Sequence, residues 1–360
     1  MIFNDVLEIR NGRNQKNVEN PDGKYPIYGS GGIMGYADDY ICEADTVIIG
    51  RKGNINNPIF VEEPFWNVDT AFGLSAKREV LLPRYLYYFC RNFDFERLNK
   101  AVTIPSLTKS DLLKIEIELP SMENQQKIVD KLSKIEQIIQ MRKQEFQRLD
   151  ELIKARFVEM FGDAVNNDKG WETASVESVC KEIFGGGTPS KAHPEYYEDG
   201  DIPWVSSKDM KADVLYDSQI RINKLGVDNS TARMVPVNSV IMVIRSGILK
   251  HSLPVAINAV PLTINQDLKV FIPGDRIITR FMAVQFKLHE RDILSGVRAV
   301  TADNIEFNSL KQRRLILPPI ELQNKFVSFA EQVDKSKVTV QKALDETQLL
   351  FDSLMQKYFG

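Results

Sequence analysis

Two short basic segments of this chain carry side chains able to grip or read nucleic acid. Arg51-Lys52-Gly53-Asn54 follows the apolar run Thr46-Val47-Ile48-Ile49. Arg245-Ser246-Gly247, with Lys250 and His251 just beyond, follows Val240-Ile241-Met242-Val243-Ile244. An arginine fork matches the two acceptors on a guanine edge, and an asparagine amide matches the donor and acceptor of adenine. Lysine and serine mostly hold phosphate oxygens. Each segment alone reads equally as a solvated basic turn; its double occurrence after a strand favours a shared task. Ser206, Ser207, Lys208 and the glycine-rich turn at Ser30 are weaker candidates of the same kind. Thr103, Ser106, Thr108 and Lys109, with Arg298 and Thr301 in the other half, could extend a polar rim. About half of such residues are expected to serve turns and caps instead.

No catalytic set accompanies them. His193, His251 and His289 are far apart and share no metal-ligand spacing with cysteine or carboxylate. Gly185-Gly186-Gly187-Thr188-Pro189 lacks the Gly-Lys-Ser/Thr that completes a phosphate loop, and reads as a flexible turn. Asn57-Pro58-Ile59-Phe60 is one residue away from an adenine-holding Asn-Pro-Pro-aromatic loop, with no cofactor loop to accompany it. Asp267-Leu268-Lys269 has half of a nuclease pattern and no acidic partner upstream, so it reads as structural. The chain is therefore expected to be non-catalytic, with no metal and no cofactor of its own.

Bulk properties agree with that reading. The 360 residues, 43% hydrophobic and 26% charged, are enough for two or three domains with cores of their own. No apolar stretch approaches the roughly 18 residues that span a bilayer. The start, Met1-Ile2-Phe3-Asn4-Asp5, has neither the basic lead nor the apolar run of a signal peptide. Cys42, Cys90 and Cys180 form no CxxC pair, as expected of reduced thiols in a cytoplasmic protein. A net charge of −3 argues mildly against a nucleic-acid binder acting alone, unless its charge is arranged locally or a partner subunit supplies most of the phosphate neutralisation.

The elements that must position these loops are duplicated. Leu119-Pro120-Ser121-Met122-Glu123-Asn124-Gln125-Gln126-Lys127-Ile128-Val129 returns as Leu317-Pro318-Pro319-Ile320-Glu321-Leu322-Gln323-Asn324-Lys325-Phe326-Val327, an offset of 198 (317 − 119). The same offset joins Met160-Phe161-Gly162 to Tyr358-Phe359-Gly360. A gapless repeat of this length indicates duplicated helices, because loops drift by insertion. From Asn124 to Phe161, Ile128, Leu132, Ile135, Ile139, Phe146, Leu149, Ile153 and Met160 recur in steps of three and four, interrupted by Arg142 and Arg156. Gly162 is a natural stop. The second helix, about Leu322 to Phe359, carries Phe326, Ala330, Val333, Val340, Leu344, Phe351, Leu354 and Tyr358, interrupted by Lys337 and Thr347. Helices of roughly 55 Å need partners along their length, and antiparallel packing on one another buries both stripes.

Before each helix lies a mixed, strand-rich region. In the first, Asp45 to Ile49 reads as a short apolar strand, LLPRYLYYF as a buried helix that starts at Pro83, and the alternation at the end of Leu112 to Ile117 suits a strand. The second echoes it loosely. Asp201-Ile202-Pro203-Trp204-Val205-Ser206-Ser207 stands where Lys24-Tyr25-Pro26-Ile27-Tyr28-Gly29-Ser30 does. Asn238 to Gly247 matches Asp45 to Gly53, and Ala299-Val300-Thr301 matches Ala101-Val102-Thr103. Scaffold is repeated while loops differ, as expected of two domains of one fold with different targets.

The Leu-Pro-x-x-Glu-x-Gln segments at 119–125 and 317–323, the Arg-x-Gly elements at Arg51 to Gly53 and Arg245 to Gly247, and Ile104-Pro105-Ser106-Leu107 resemble the specificity subunit of type I restriction–modification enzymes. The likeness covers nearly the whole chain. It implies an α+β fold: two similar target recognition domains separated by two long antiparallel helices, with pseudo-twofold symmetry. The expected domains are residues 1–118 and 163–316, with spacer helices at 119–162 and 317–360. It further implies that the chain reads a bipartite site in double-stranded DNA and directs adenine methylation and cleavage by others. Two methyltransferase subunits would bring the S-adenosylmethionine, and an endonuclease/translocase subunit is a further candidate partner. Ile138, Leu152 and Phe157 lie off the main helical seam and are expected to meet partner helices. The alternatives are an orphan or stand-alone DNA-modifying enzyme, which needs a cofactor loop, and a coiled-coil scaffold indifferent to DNA sequence.

Overall fold

The computed structural model describes residues 1–101, 103–296, 298–299 and 303–360. They divide into two compact units, residues 1–145 with 340–360 and residues 146–339, so both long helices are shared between units.

The first unit begins with α1 (Phe3–Val6) and the strands β1 (Leu7–Asn11), β2 (Tyr25–Gly29), β3 (Gly32–Ala37), β4 (Thr46–Gly50), β5 (Ile59–Val61), β6 (Trp66–Asn67) and β7 (Ala71–Ala76). Then come α2 (Pro83–Asn92), α3 (Lys109–Leu112) and α4 (Met122–Phe161). Strands β1-β7-β4-β5 form an antiparallel sheet. Strands β3-β2-β6 form a second sheet in which β2 and β6 run parallel. All five residues of β4 are buried, which explains a continuous apolar run rather than an alternating one. Pro83 occupies the first turn of α2, where its missing N–H costs nothing.

Strand-like pairing expected at the end of Leu112 to Ile117 is present there as a single antiparallel bridge, Glu116 to Ile2, while Thr108 caps α3 just before it. Phe3 donates its amide to the Ile115 carbonyl at 2.9 Å, and Ile117 donates to that of Met1 at 2.8 Å. The Thr108 hydroxyl starts α3 by accepting from the otherwise unpaired Asp111 amide.

The second unit contains β8 (Thr173–Ser175), α5 (Val176–Val179), β9 (Cys180–Gly185), β10 (Ile202–Val205), β11 (Val214–Leu215), β12 (Arg221–Ile222), α6 (Lys224–Asp228), β13 (Met234–Val235) and β14 (Val240–Val243). It continues with β15 (Val255–Asn258), β16 (Leu262–Ile264), β17 (Leu268–Pro273), α7 (Thr279–Leu288), α8 (Glu290–Ser295), β18 (Arg298–Ala299), β19 (Asp303–Asn304), α9 (Phe307–Gln312), β20 (Arg314–Ile316) and α10 (Ile320–Phe359). Its main sheet, β11-β15-β14-β17-β9, contains the first unit's order with one strand added. Its other sheet, β12-β10-β16-β13, repeats the parallel pair as β10 and β16. The same topology thus occurs in each unit. Asp45 (φ 61°) and Asn238 (φ 64°) make the same left-handed entry to β4 and β14, a conformation that Asp and Asn tolerate better than most side chains.

Within the first unit α4 and α10 run antiparallel: Lys131 meets Tyr358 at 3.4 Å, and eleven residues on (142 − 131) Arg142 meets Thr347. The polar interruptions at Arg142 and Thr347 therefore answer each other. Leu132, Ile135 and Ile139 of α4 join Phe351 and Met355 of α10 in one core with Tyr85 and Tyr88 of α2. Within the second unit Lys337 of α10 donates to Asp150 of α4 at 2.6 Å, and Phe157 meets Phe326.

Phe157, expected to face a partner, is fully buried among Phe161, Phe281 and Phe326 at ring separations of 5.1–5.3 Å. Helix α7 brings Phe281 onto a second face of α4, so the helix buries more than the seam it shares with α10. Leu152 is exposed and Ile138 half-buried. Gly162, at φ 77°, ends α4 with its amide on the Val158 carbonyl.

Candidate nucleic-acid interface

In the first unit the turn after β4 is laced to three other segments. Arg51 and Lys52 donate their amides to the Thr70 carbonyl at 2.7 and 3.3 Å. Gly53 donates to Pro105, and Leu107 donates to Arg51, both at 2.9 Å. Val68 donates to Tyr28 at 2.9 Å, which ties the end of β2 to the β6–β7 turn that carries Thr70, and Ser30 packs beside Gly50. Ser30, Arg51 to Asn54, Asp69-Thr70 and Pro105 to Leu107 are thus gathered in one place. Arg51, Lys52 and Asn54 are exposed there. Arg51 reaches the Asp69 carbonyl at 3.4 Å. Thr103 is exposed. Thr108 and Lys109 are engaged locally: the threonine caps α3, and the lysine donates to the Ile9 carbonyl at 2.7 Å.

The second unit builds the same meeting point with other side chains. Ile244 and Arg245 donate their amides to the Asp267 carbonyl at 2.9 and 3.2 Å, and Ile305 donates to Ile244 at 2.9 Å. Asn265 donates to Val205 at 2.9 Å, which brings in Ser206, Ser207 and Lys208. This register makes Arg245 the counterpart of Lys52, and Ile244 that of Arg51. The Arg-x-Gly likeness between the halves is therefore offset by one residue. Both arginines still follow the strand, but only Arg245 holds the position opposite the last linking segment, bridged to Asn304 as Lys52 is to Ser106.

Arg245 is also held by its side chain. Its Nε donates to Asp267 Oδ1 at 2.7 Å, and its Nη2 forms an ion pair with the same oxygen at 2.6 Å. Asp267 Oδ2 accepts from Asn265 Nδ2 at 3.1 Å, and the Asp267 amide donates to Asn265 Oδ1 at 3.0 Å. Ser206 is committed to Asp209, and Ser246 caps the short turn Gly247–Lys250. Lys208, Lys250 and His251 are exposed and Ser207 is half-buried. Arg298 opens β18, opposite Asn304. Thr301, like Val102 and Val300 in the matched segments, lies outside the described residues.

Asn265, Gln266 and Thr70 join these clusters without having been singled out from sequence, and Asp267 and Thr188, read there as structural and as part of a flexible turn, join them as well. The available signal was the polar tripeptide Asn265-Gln266-Asp267 between two apolar strands, a turn-forming pattern. The glycine run is not the flexible turn expected. A Cβ on Gly186 would lie 1.8 Å from the Ile264 carbonyl oxygen, so only glycine lets the chain pass. The Gly187 amide is spent on Ile264 and its carbonyl accepts from Trp204 Nε1 at 2.9 Å. The Gly187 amide is therefore not available to a phosphate.

Burial pushes the Cys42 and Cys180 thiols up to about 12, and Cys90 higher still, so none is a ready nucleophile. Among the described residues no group of three or more His, Cys, Asp or Glu could hold a metal ion. No described helix is long and apolar enough to cross a membrane.

Comparison with known proteins bears on the same regions. The family described as "Type I restriction modification DNA specificity domain" matches residues 3–151 and 168–347. The chain is 34% identical over 153 residues to the EcoR124I/EcoR124II specificity subunit of Escherichia coli, a match covering 42% of this chain and 38% of that subunit. It is 23% identical over 331 residues to the MjaIX specificity subunit of Methanocaldococcus jannaschii, covering 86% of this chain and 74% of that one. The crystal structure of a type I system S subunit from M. genitalium superposes with a TM-score of 0.63 at 15% identity, covering 100% of this chain and 95% of that chain. A second solved structure, from a study of type I system assembly and conformational transition, gives 0.55 at 17% identity, covering 100% and 96%. These two likenesses concern the fold.

Proposed function

Because the chain belongs to the type I restriction–modification DNA specificity family, we propose that it is the subunit that selects the target, with each unit reading one half of a bipartite DNA site. The observation that carries this reading is the doubled loop cluster. Four segments converge after β4 in one unit and after β14 in the other, on one topology with different side chains. A repeated scaffold positions contacts equally in both units, while unlike loops give unlike base preferences.

Chemistry belongs to partners in this reading. Two methyltransferase subunits would bring S-adenosylmethionine and methylate adenine, and an endonuclease/translocase subunit would cleave, all in the cytoplasm. The glycine run that resembled a phosphate loop is closed against Ile264, which supports a non-catalytic chain. Partner helices would cover apolar side chains that α4 and α10 leave exposed, including Leu152, Val158, Val338 and Leu349.

The test is coexpression with the cognate methyltransferase subunit, followed by genome-wide mapping of methylated adenine. A two-part motif with a fixed gap, absent without this chain, is the expected result. The same motif without this chain, or methylation by this chain alone, would reject the reading.

A further inference from the structure

We propose that Arg245 and Asp267 form a buttressed guanine reader in the second unit, with Asp267 as the positioning residue. The inference rests on the target-reading role just given and names a base, a residue and the residue that aims it.

A guanidinium has two edges that can form paired hydrogen bonds. Asp267 occupies the side edge, one oxygen accepting from Nε and lying against Nη2. That leaves the end edge, Nη1 with the second Nη2 proton, as two parallel donors. This spacing fits O6 and N7 of guanine in the major groove. Arg245 is about half exposed, with its side chain at 48%, so the end edge can meet a ligand. The carboxylate behind it is fixed at every point: Asn265 holds its second oxygen and its amide, and its carbonyl accepts from Ile244 and Arg245. An arginine held in this way loses little side-chain freedom on binding, and so discriminates better than a free one.

The first unit supplies the contrast. At the matching backbone positions it has Lys52 and Thr70 instead of Arg245 and Asp267. Lysine is a point donor with no fork, and threonine offers no carboxylate to orient it. A buttressed reader of this kind is therefore expected in one unit only, the second. Asp267 itself stays off the base, because a carboxylate facing O6 and N7 would repel both acceptors.

The test maps methylated adenine in cells that express this chain, or a variant, with the cognate methyltransferase subunit. Exchanging residues 163–316 for those of a relative first shows which half-site the second unit reads. That half-site should contain a G·C pair. Arg245→Lys and Asp267→Ala should each relax that one position, with about 5- to 100-fold lost preference, and leave the other half-site unchanged. Asp267→Asn, which keeps an acceptor without the charge, should relax it less. Thermal unfolding of the purified complexes shows whether each variant is folded. If folded Asp267→Ala and Arg245→Lys variants keep the motif base for base, the proposal is overturned. A wild-type complex with no bipartite motif would overturn the target-reading role as well, whereas an intact motif lacking a G·C pair in this half-site overturns only the reader.

Discussion

Gln323 makes in the second unit the three hydrogen bonds that Gln125 makes in the first. Gln125 Oε1 accepts from the Leu82 amide at 3.0 Å, and its Nε2 donates to the Val80 and Pro120 carbonyls at 2.9 and 3.0 Å. Gln323 Oε1 accepts from Ile278 at 3.0 Å, and its Nε2 donates to Arg276 and Pro318 at 3.1 and 2.9 Å. Both amides are buried. Each ties the entry of a domain helix, α2 or α7, to the start of a long helix, and this accounts for the glutamine in both copies of the repeat. Gln323→Ala would strand one amide and two carbonyls. We expect a loss of about 2–4 kcal/mol in denaturant unfolding, and an unchanged midpoint would refute the clamp.

Lys337 is buried and bonded to Asp150 at 2.6 Å and Asp213 at 3.4 Å. Burial alone would raise Asp213, but Lys287, Lys337 and Arg280 outweigh it and hold the carboxyl down at about 2. Removing one member leaves partly buried charge uncompensated. Lys337→Ala should cost about 2–3 kcal/mol, less than for an isolated buried pair because Lys287 and Arg280 remain beside Asp213. Hydrogen exchange along residues 320–339 would show the loss as faster opening, and wild-type protection would count against it.

His289 is buried, and that burial, with the Arg313 guanidinium beside it, lowers its pKa from 6.5 to about 4. The neutral ring is thus favoured in the folded state, and between these values the unfolded chain binds more protons. This contribution to stability is full above pH 6.5, falls as pH drops through the window, and is lost by about pH 4. The difference amounts to about 3 kcal/mol. Unfolding measured from pH 7 to 4 should show this slope, and His289→Asn should flatten it. Equal slopes in both proteins would exclude the histidine as its source.

Lys52 is exposed beside Arg51 and Asn54 in the first unit. If it neutralises one phosphate, Lys52→Ala should lower the slope of log affinity against log salt by about 1, without altering the recognised motif. Fluorescence anisotropy of the assembled complex at several salt concentrations reads the slope directly. A changed motif with an unchanged slope would make Lys52 a base reader instead.

Much of the architecture was legible in the residues because it is local. The two long helices appear as three-and-four spacing of apolar side chains. The buried strands appear as unbroken runs at Thr46 to Ile49 and Val240 to Val243, and the duplication as a constant offset. Such patterns report what a single element buries. They cannot report which distant backbone atoms come within reach. Residues 28 and 68 meet because β2 and β6 pair in parallel, and residues 205 and 265 meet because β10 and β16 do. Only that sheet order sets Lys52 against Arg245, turns Asp267 into the support of an arginine, and shuts the glycine run against Ile264. It was likewise the packing of α7, invisible in the stripe of α4, that took Phe157 out of reach of a partner. Periodicity along one helix counts its own faces, and the neighbour that covers a face is chosen by the tertiary fold.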